Sequence, residues 1–192
     1  MISEGKMRSG LISVVKDLEE KGFLPGASGN MSVRLNKTTI LITPRGTKKG
    51  KLKPSDLVEV SLGGRLLRGS KSPSTELEMH LAIYRHVLEA RVVLHAHPPF
   101  ATAFAVAGLP FDHLAPPEMI ESLGRIPLVP YGRSSTKELS HQLVPYLKNQ
   151  HAFILADHGA VVYGDNLDEA YCRMESLEFC AKVAFLGKLI SG

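Results

Sequence analysis

"RVVLHAHPPF", residues 91–100, runs from an apolar stretch into two histidines one residue apart and then two prolines. The apolar stretch reads as a buried strand, and "PFATAFAVAG" after it as a short helix. On a strand, side chains at i and i+2 share a face, so His95 and His97 project together while Ala96 turns the other way. A strand with this ending can bring two imidazole nitrogens to one ion, because a metal–nitrogen bond of about 2.1 Å is within reach of both rings. The competing reading is a pair of hydrogen-bonded structural histidines.

Two ligands do not make a stable site, so a third is expected from another strand end. "FILADHG" repeats the pattern of an apolar strand breaking into a polar bend, and it offers His158, with Gly159 allowing close backbone approach. The other histidines fall on helices or connections: His80 and His86 within 76–89, His113 in a proline-rich loop, His141 on a helix and His151 in a connection. Three neutral nitrogens with an open fourth position describe a catalytic zinc site better than a structural one, with other divalent metals as alternatives.

Outward from this centre, residues 3–20 read as a helix closed by Gly22. "TTILIT" (38–43) and "LVEVS" (57–61) read as strands, and Gly63–Gly64 turn the chain into a third. Thr75 and Glu78 have capping-box spacing ahead of a helix with Leu77, Leu81, Tyr84 and Leu88 as its apolar stripe. "TKELSHQLVPYLKN" reads as a helix that Pro145 kinks or splits. "AFILADHG" and "AVVYG" read as strands about a tight bend. Asn166 and Glu169 then open a long last helix with Leu167, Met174, Leu177, Ala181, Ala184 and Phe185 on its apolar side. Several strands are joined by turns too short for crossovers, which argues for much antiparallel pairing with helices packed on the sheet.

The chain has 192 residues, 44% of them hydrophobic, enough for one domain with its own core. The N-terminal segment is amphipathic and charged throughout, and no apolar run is long enough to cross a bilayer, so a soluble cytoplasmic protein without a membrane partner is expected. Cys172 and Cys180 lie eight apart in the last helix, too far for a disulfide, and read as small buried hydrophobes. The net charge of +4 is concentrated in "TPRGTKKGKLKP" (43–54), read as a solvated loop. With no Trp and 6% aromatics, nucleic-acid binding is not expected, and a modest positive field that draws in a small anion fits better.

Three turns could receive that anion. "PGASGNMS" (25–32) and "TPRG" (43–46) are rich in glycine and hydroxyls, and "SPSTE" (72–76) opens a helix whose free N–H groups favour negative charge. Ser28, Gly29, Asn30, Arg45, Gly46, Ser74 and Thr75 could donate to one phosphate. Glu76 admits two readings. A carboxylate at the start of a helix complements its dipole, which is sufficient on pattern alone. Beside a metal and a phosphate it could instead take a proton from a carbon next to a polarised carbonyl.

Together, "GASGNMSVR", "ILITPRG", "SPSTELEMHLAIY", "VVLHAHPPFATAFA", "VPYGRSSTKEL" and "LADHGAVVYG" make the chain resemble the class II aldolase/adducin family over nearly its whole length, most closely the L-fuculose-1-phosphate aldolase branch. The resemblance implies an α/β fold: a single domain spanning 1–192, with three α/β/α layers around a mainly antiparallel sheet. It implies a homotetramer with sites between subunits. It implies one zinc per subunit on His95, His97 and His158, with Glu76 as catalytic acid/base and resting ligand. Gly29, Asn30, Arg45, Gly46, Ser74 and Thr75 match the positions that hold the substrate phosphate. The implied reaction is reversible cleavage of a ketose 1-phosphate to dihydroxyacetone phosphate and a short aldehyde such as lactaldehyde, without a Schiff-base lysine.

The chain departs from the family pattern in three places. Arg45 stands where a small hydroxyl residue is usual. Leu114 stands where the fuculose-phosphate branch has a tyrosine acid, and a tyrosine from the family's longer C-terminal tail is not expected here. His113, Glu118, Tyr131 or water remain as aldehyde-side acids. Related activities on this scaffold are a ribulose-phosphate 4-epimerase, whose pattern usually has aspartate at the place of Glu76, and a sugar-acid phosphate decarboxylase. A non-catalytic adducin-like interaction domain is the reading from another class.

Overall fold

The computed structural model describes residues 3–191. Among these the chain forms strands β1 (Asn30–Arg34), β2 (Thr39–Ile42), β3 (Val58–Ser61), β4 (Leu66–Arg68), β5 (Val92–Ala96), β6 (Leu128–Val129), β7 (Ala152–Leu155) and β8 (Gly159–Gly164). Helices α1 (Glu4–Glu20), α2 (Leu77–His86), α3 (Pro99–Ala107), α4 (Pro117–Leu123), α5 (Lys137–Leu143) and α6 (Leu167–Ser191) cover the sheet. The strand order is β4-β3-β2-β1-β5-β8-β7-β6. Every neighbouring pair is antiparallel except β6 with β7.

The expected strand at 91–97 lies inside this sheet and divides its two cores. By alternation, Val92, Leu94 and Ala96 pack with Leu11, Val15, Leu18, Phe104 and Leu177 of α1, α3 and α6. Val93 packs on the opposite face with Leu81 and Tyr84 of α2 and Leu143 of α5. Each of the buried Val, Leu and Phe side chains contributes on the order of 1.5–3 kcal/mol through burial, so a register slip that reversed the two faces would be strongly disfavoured. His95 follows the same alternation and faces the α2 side.

Local signals were mostly realised, with instructive shifts. Helix α1 starts one residue later than read, with Ser3 as its N-cap accepting from Lys6 N–H. Pro145 ends α5, and a short 3-10 turn at Val144–Tyr146 follows. Asn166 accepts from the Glu169 N–H at 2.8 Å, but Glu169 reaches back to Asp165 N–H at 2.7 Å rather than to Asn166.

The Thr75–Glu78 capping box does not form. Glu76 is the N-cap of α2, its N–H donates to Ser74 Oγ, and Thr75 Oγ1 accepts from Ser135 instead. The α2 stripe stops at Tyr84, because Val87 is extended and Leu88 is 76% exposed. Phe185 is also exposed, and Cys172 is an exposed thiol while Cys180 is buried. No helix among the described residues is long and apolar enough to cross a membrane.

Candidate active site

Antiparallel register gathers the three histidines. Ala96 pairs with Ala160 across β5 and β8, so the chain beyond Ala96 meets the β7–β8 bend. There Asp157 takes a left-handed φ of 55°, His158 N–H donates to Leu155 carbonyl, and the bend presents the His158 ring. A Cβ at Gly159 would sit 2.8 Å from the Ala96 carbonyl oxygen and 2.9 Å from His97 Cδ2, so only glycine allows this approach. The ring centroids of His95, His97 and His158 lie 4.8, 4.6 and 5.5 Å apart, and one nitrogen from each falls within 4.8 Å of the others.

The nitrogens could serve as ligands. His95 Nδ1 lies 2.8 Å from the Ala160 carbonyl oxygen, which only accepts, so Nδ1 carries the hydrogen and Nε2 faces the site. His95 Nε2, His97 Nδ1, His158 Nδ1 and Glu76 Oε1 are buried with no hydrogen-bond partner. Such orphaned atoms are costly unless something binds them. Three imidazoles beside a carboxylate are a donor set that fits a divalent cation of the zinc type.

Glu76 stands over the histidines. Its Oε2 lies 3.1 Å from His95 Nε2, and its Oε1 lies 3.2 Å from His158 Nε2. Burial alone would raise its pKa, but positive charge at His95 and His158 and the N–H of Asn30 override this and hold the carboxyl well below the usual range. Burial disfavours charge on His95 too, yet the Glu76 carboxylate raises its pKa. His97 is lowered to about 3 and His158 to about 4, first by burial and then by repulsion from His95. Both are therefore neutral near pH 7, as metal ligation requires.

The same burial lowers His80 to about 3. Between about pH 4 and 6.5, His80, His97 and His158 bind protons in the unfolded chain and not in the folded one, while His95, whose pKa is raised, is protonated in both. Unfolding therefore takes up protons on balance. The metal-free protein should lose stability as pH falls from 7 to 5, by about 1.4 kcal/mol per pH unit for each net proton. Urea midpoints measured across that range check this, and a constant or rising midpoint would contradict it.

The three glycine- and hydroxyl-rich turns meet over the same carboxylate. Pro44 bridges Pro73, Ser74 N–H donates to Thr43 carbonyl and Arg45 N–H to Ser72 carbonyl, so "TPRG" and "SPST" run side by side. Gly29 has φ +69°, and a Cβ there would lie 2.9 Å from the His95 carbonyl oxygen, so the third turn packs directly on the histidine strand. Of the residues singled out in the sequence, Ser28, Gly29, Asn30, Arg45, Gly46, Ser74, Thr75, Glu76, His97 and His158 all line one cleft of about 480 Å³, and His95 lies fully buried behind it. His113, Glu118 and Tyr131 do not line it.

Two contributions were not read from sequence. Lys49, counted within a solvated basic run, is 2% exposed. Its Nζ donates to the Ala27 and Thr47 carbonyls at 3.0 Å each, tying two of the turns together at the cleft wall. Burial lowers its pKa. Nothing in the charge pattern separates Lys49 from its exposed neighbours. Ser134 and Ser135 close the cleft from the opposite side, with Ser135 Oγ donating to Thr75 Oγ1 at 2.8 Å. The left-handed φ of 63° at Ser135 marks a tight turn, for which adjacent serines were the available signal.

This fold is that of the class II aldolases. A solved L-fuculose 1-phosphate aldolase matches with a TM-score of 0.92 and 31% identity, covering 100% of this chain and 90% of that one. The family described as Class II Aldolase and Adducin N-terminal domain matches residues 9–185, and the chain belongs to it. Among similar proteins, a 3-oxo-tetronate 4-phosphate decarboxylase of Pectobacterium atrosepticum is 36% identical over 188 residues, covering 96% of this chain and 86% of its own. An L-fuculose phosphate aldolase of Methanococcus vannielii is 34% identical over 172 residues, covering 90% and 92% respectively.

Proposed function

We propose that this protein is a zinc-dependent lyase that breaks a carbon–carbon bond beside the ketone of a small phosphorylated substrate, releasing dihydroxyacetone phosphate. The observation that carries this reading is that Glu76, His97 and His158 open onto the same cleft as the three anion-binding turns. A phosphate held by the turns would set a short ketone chain against the imidazoles and the carboxylate.

The favoured reaction is decarboxylation of a 3-oxo-tetronate 4-phosphate, as named for the Pectobacterium relative. In such a substrate the carboxylate is attached to the hydroxymethine carbon next to the ketone. The pair of the breaking C–C bond passes into the ketone as CO₂ leaves, giving an enediolate, and protonation of its carbon yields dihydroxyacetone phosphate. Zinc held by His95, His97 and His158 would supply Lewis acidity for the ketone oxygen. Arg45, Gly46, Ser74 and Thr75, with Gly29 and Asn30, hold the phosphate, and Lys49 keeps their turns in place. Glu76 moves the proton to or from the hydroxymethine carbon.

Aldol cleavage of a ketose 1-phosphate, as in the fuculose-phosphate relatives, is the second reading, favoured by the 0.92 TM-score to one of them. It passes through the same enediolate. It needs one more group, because the departing carbon carries a hydroxyl whose proton must be removed as the aldehyde forms. CO₂ leaves with no such transfer. Among the described residues no tyrosine lines the cleft, and Leu114 packs against the core. That difference, together with the decarboxylase relative at 36% identity, supports decarboxylation as the first reading. The family's tetrameric assembly with sites between subunits is part of this proposal.

The test is release of dihydroxyacetone phosphate from 3-oxo-tetronate 4-phosphates and from ketose 1-phosphates, at equal zinc. Faster turnover of the tetronates is expected. Turnover confined to ketose 1-phosphates would reverse the order of the two readings, and no release from either would end both.

A further inference from the structure

Helix α3 joins the two segments that carry the histidines. It starts at Pro99, two residues after His97, and its Ala105 carbonyl accepts the Asp157 N–H at 3.1 Å, beside His158. Nothing local holds its first turn. Pro98 is the N-cap and offers no side-chain acceptor, and Pro99 has no N–H. The free N–H groups of the next two residues donate instead to a carboxylate on α6. Phe100 N–H reaches Glu178 Oε1 at 3.0 Å, and Ala101 N–H reaches Glu178 Oε2 at 2.9 Å. Glu178 is 9% exposed and does not line the cleft.

A carboxylate among apolar side chains is costly unless its oxygens are bonded. Leu177, Cys180 and Ala181 around it on α6 are fully buried, so an apolar residue would satisfy packing alone at this position. The carboxylate adds direction. Two oxygens on two adjacent N–H groups fix where the first turn of α3 lies, and negative charge at that end matches the helix dipole. The connection to the site is stiff at both ends. Proline rings restrict φ along the path from His97 into the helix, and His97 N–H is tied to the Phe23 carbonyl at 2.8 Å. At the far end Asp157 holds a left-handed φ of 55°, which costs energy for a residue other than glycine and persists only where neighbours impose it. The Ala105 carbonyl is one of those restraints. A displaced α3 would therefore shift His97 and the His158 bend relative to each other.

We infer that Glu178 is a positioning residue for the metal site: by clamping the first turn of α3 it sets the spacing of His97 and His158, and with it how tightly the triad holds a cation. It acts through the helix, from outside the cleft. The inference rests on the reading of the triad as a metal site.

The test is Co²⁺ binding by the metal-free protein, with affinity read by chelator competition and site geometry by the visible spectrum of the bound ion. Glu178→Ala should weaken Co²⁺ by about 10–100-fold, the usual effect of losing an outer support of a metal ligand, and should alter the spectrum. Met174→Ala, which truncates another buried side chain of α6, should lower the urea midpoint and leave affinity and spectrum as they are. A purely structural Glu178 would behave like Met174. Coupling between two sites is reciprocal. In the unaltered protein, zinc should therefore slow amide hydrogen exchange at Phe100 and Ala101 more than in α5, a measurement that stands even where Glu178→Ala does not fold. Wild-type affinity and spectrum in a folded Glu178→Ala, equal weakening in Met174→Ala, or exchange at Phe100 and Ala101 that ignores zinc would overturn the inference while leaving the triad its metal. Absence of Co²⁺ binding by the wild type, or undiminished binding by His158→Ala, would remove the metal site and the inference with it.

Discussion

Glu76→Gln should fold, hold its metal and lose catalysis by a factor of about 10²–10⁴, the usual contribution of a positioned acid/base group. Glutamine has nearly the same shape, and its amide oxygen can still accept from Asn30 Nδ2, so the packing at the start of α2 is retained. What it cannot do is carry a proton between substrate carbon and solvent. The carboxylate it replaces is held ionised by the imidazoles around it and leaves Oε1 unpartnered. The loss should appear in kcat and in solvent exchange of the hydroxymethyl protons of dihydroxyacetone phosphate, with little change in KM, because the turns proposed to hold phosphate are untouched. Exchange within about threefold of wild type, against the scale expected for an acid/base group, would assign the proton transfer elsewhere.

Removal of the metal should have the other large effect. With a chelator present, turnover should fall to background, and zinc should restore it. His158→Ala should bind zinc far more weakly, since it leaves only His95 and His97 from the triad. The ring sits on a bend, so the fold should survive its loss. Because the orphaned imidazole nitrogens cost stability when nothing occupies the space between them, zinc should also stabilise the protein strongly. Free zinc at a thousand times its Kd contributes about 4 kcal/mol, which corresponds to a rise in Tm of roughly 10 °C for a chain of this size. Thermal melts with and without zinc read this directly. An unshifted Tm together with sub-stoichiometric metal would favour an adducin-like interaction role over an enzyme.

Much of this was legible in the chain. The apolar alternation of 91–97, the proline that ends it and the glycine that follows His158 are local properties. They announce a buried strand, a helix start and a tight bend wherever they occur. The order of the motifs was enough to suggest the family. The capping box expected at Thr75 does not form for a reason of the same kind: a hydroxyl has several possible partners, and Ser135, sixty residues away, supplies the one that forms. Lys49 is indistinguishable from its exposed neighbours in the chain because sequence records charge and not depth. Its burial depends on the "PGASGN" turn folding over it and offering the Ala27 carbonyl.

The line of buried hydrogen bonds from Glu76 through Asn30, His80 and Ser32 to Tyr84 shows the division most clearly. Its periodicities were present in the sequence, two along "NMS" and four through Glu76, His80 and Tyr84, and each set reads as one face of one element. That the two faces meet follows from β1 pairing with β5 and from α2 packing over both. Sequence alone determined which residues could ligate, donate or turn, because those capacities belong to side chains and to local backbone geometry. Tertiary structure alone decided which of them share a space and which nitrogen of His95 faces it. Those depend on contacts between segments far apart in the chain.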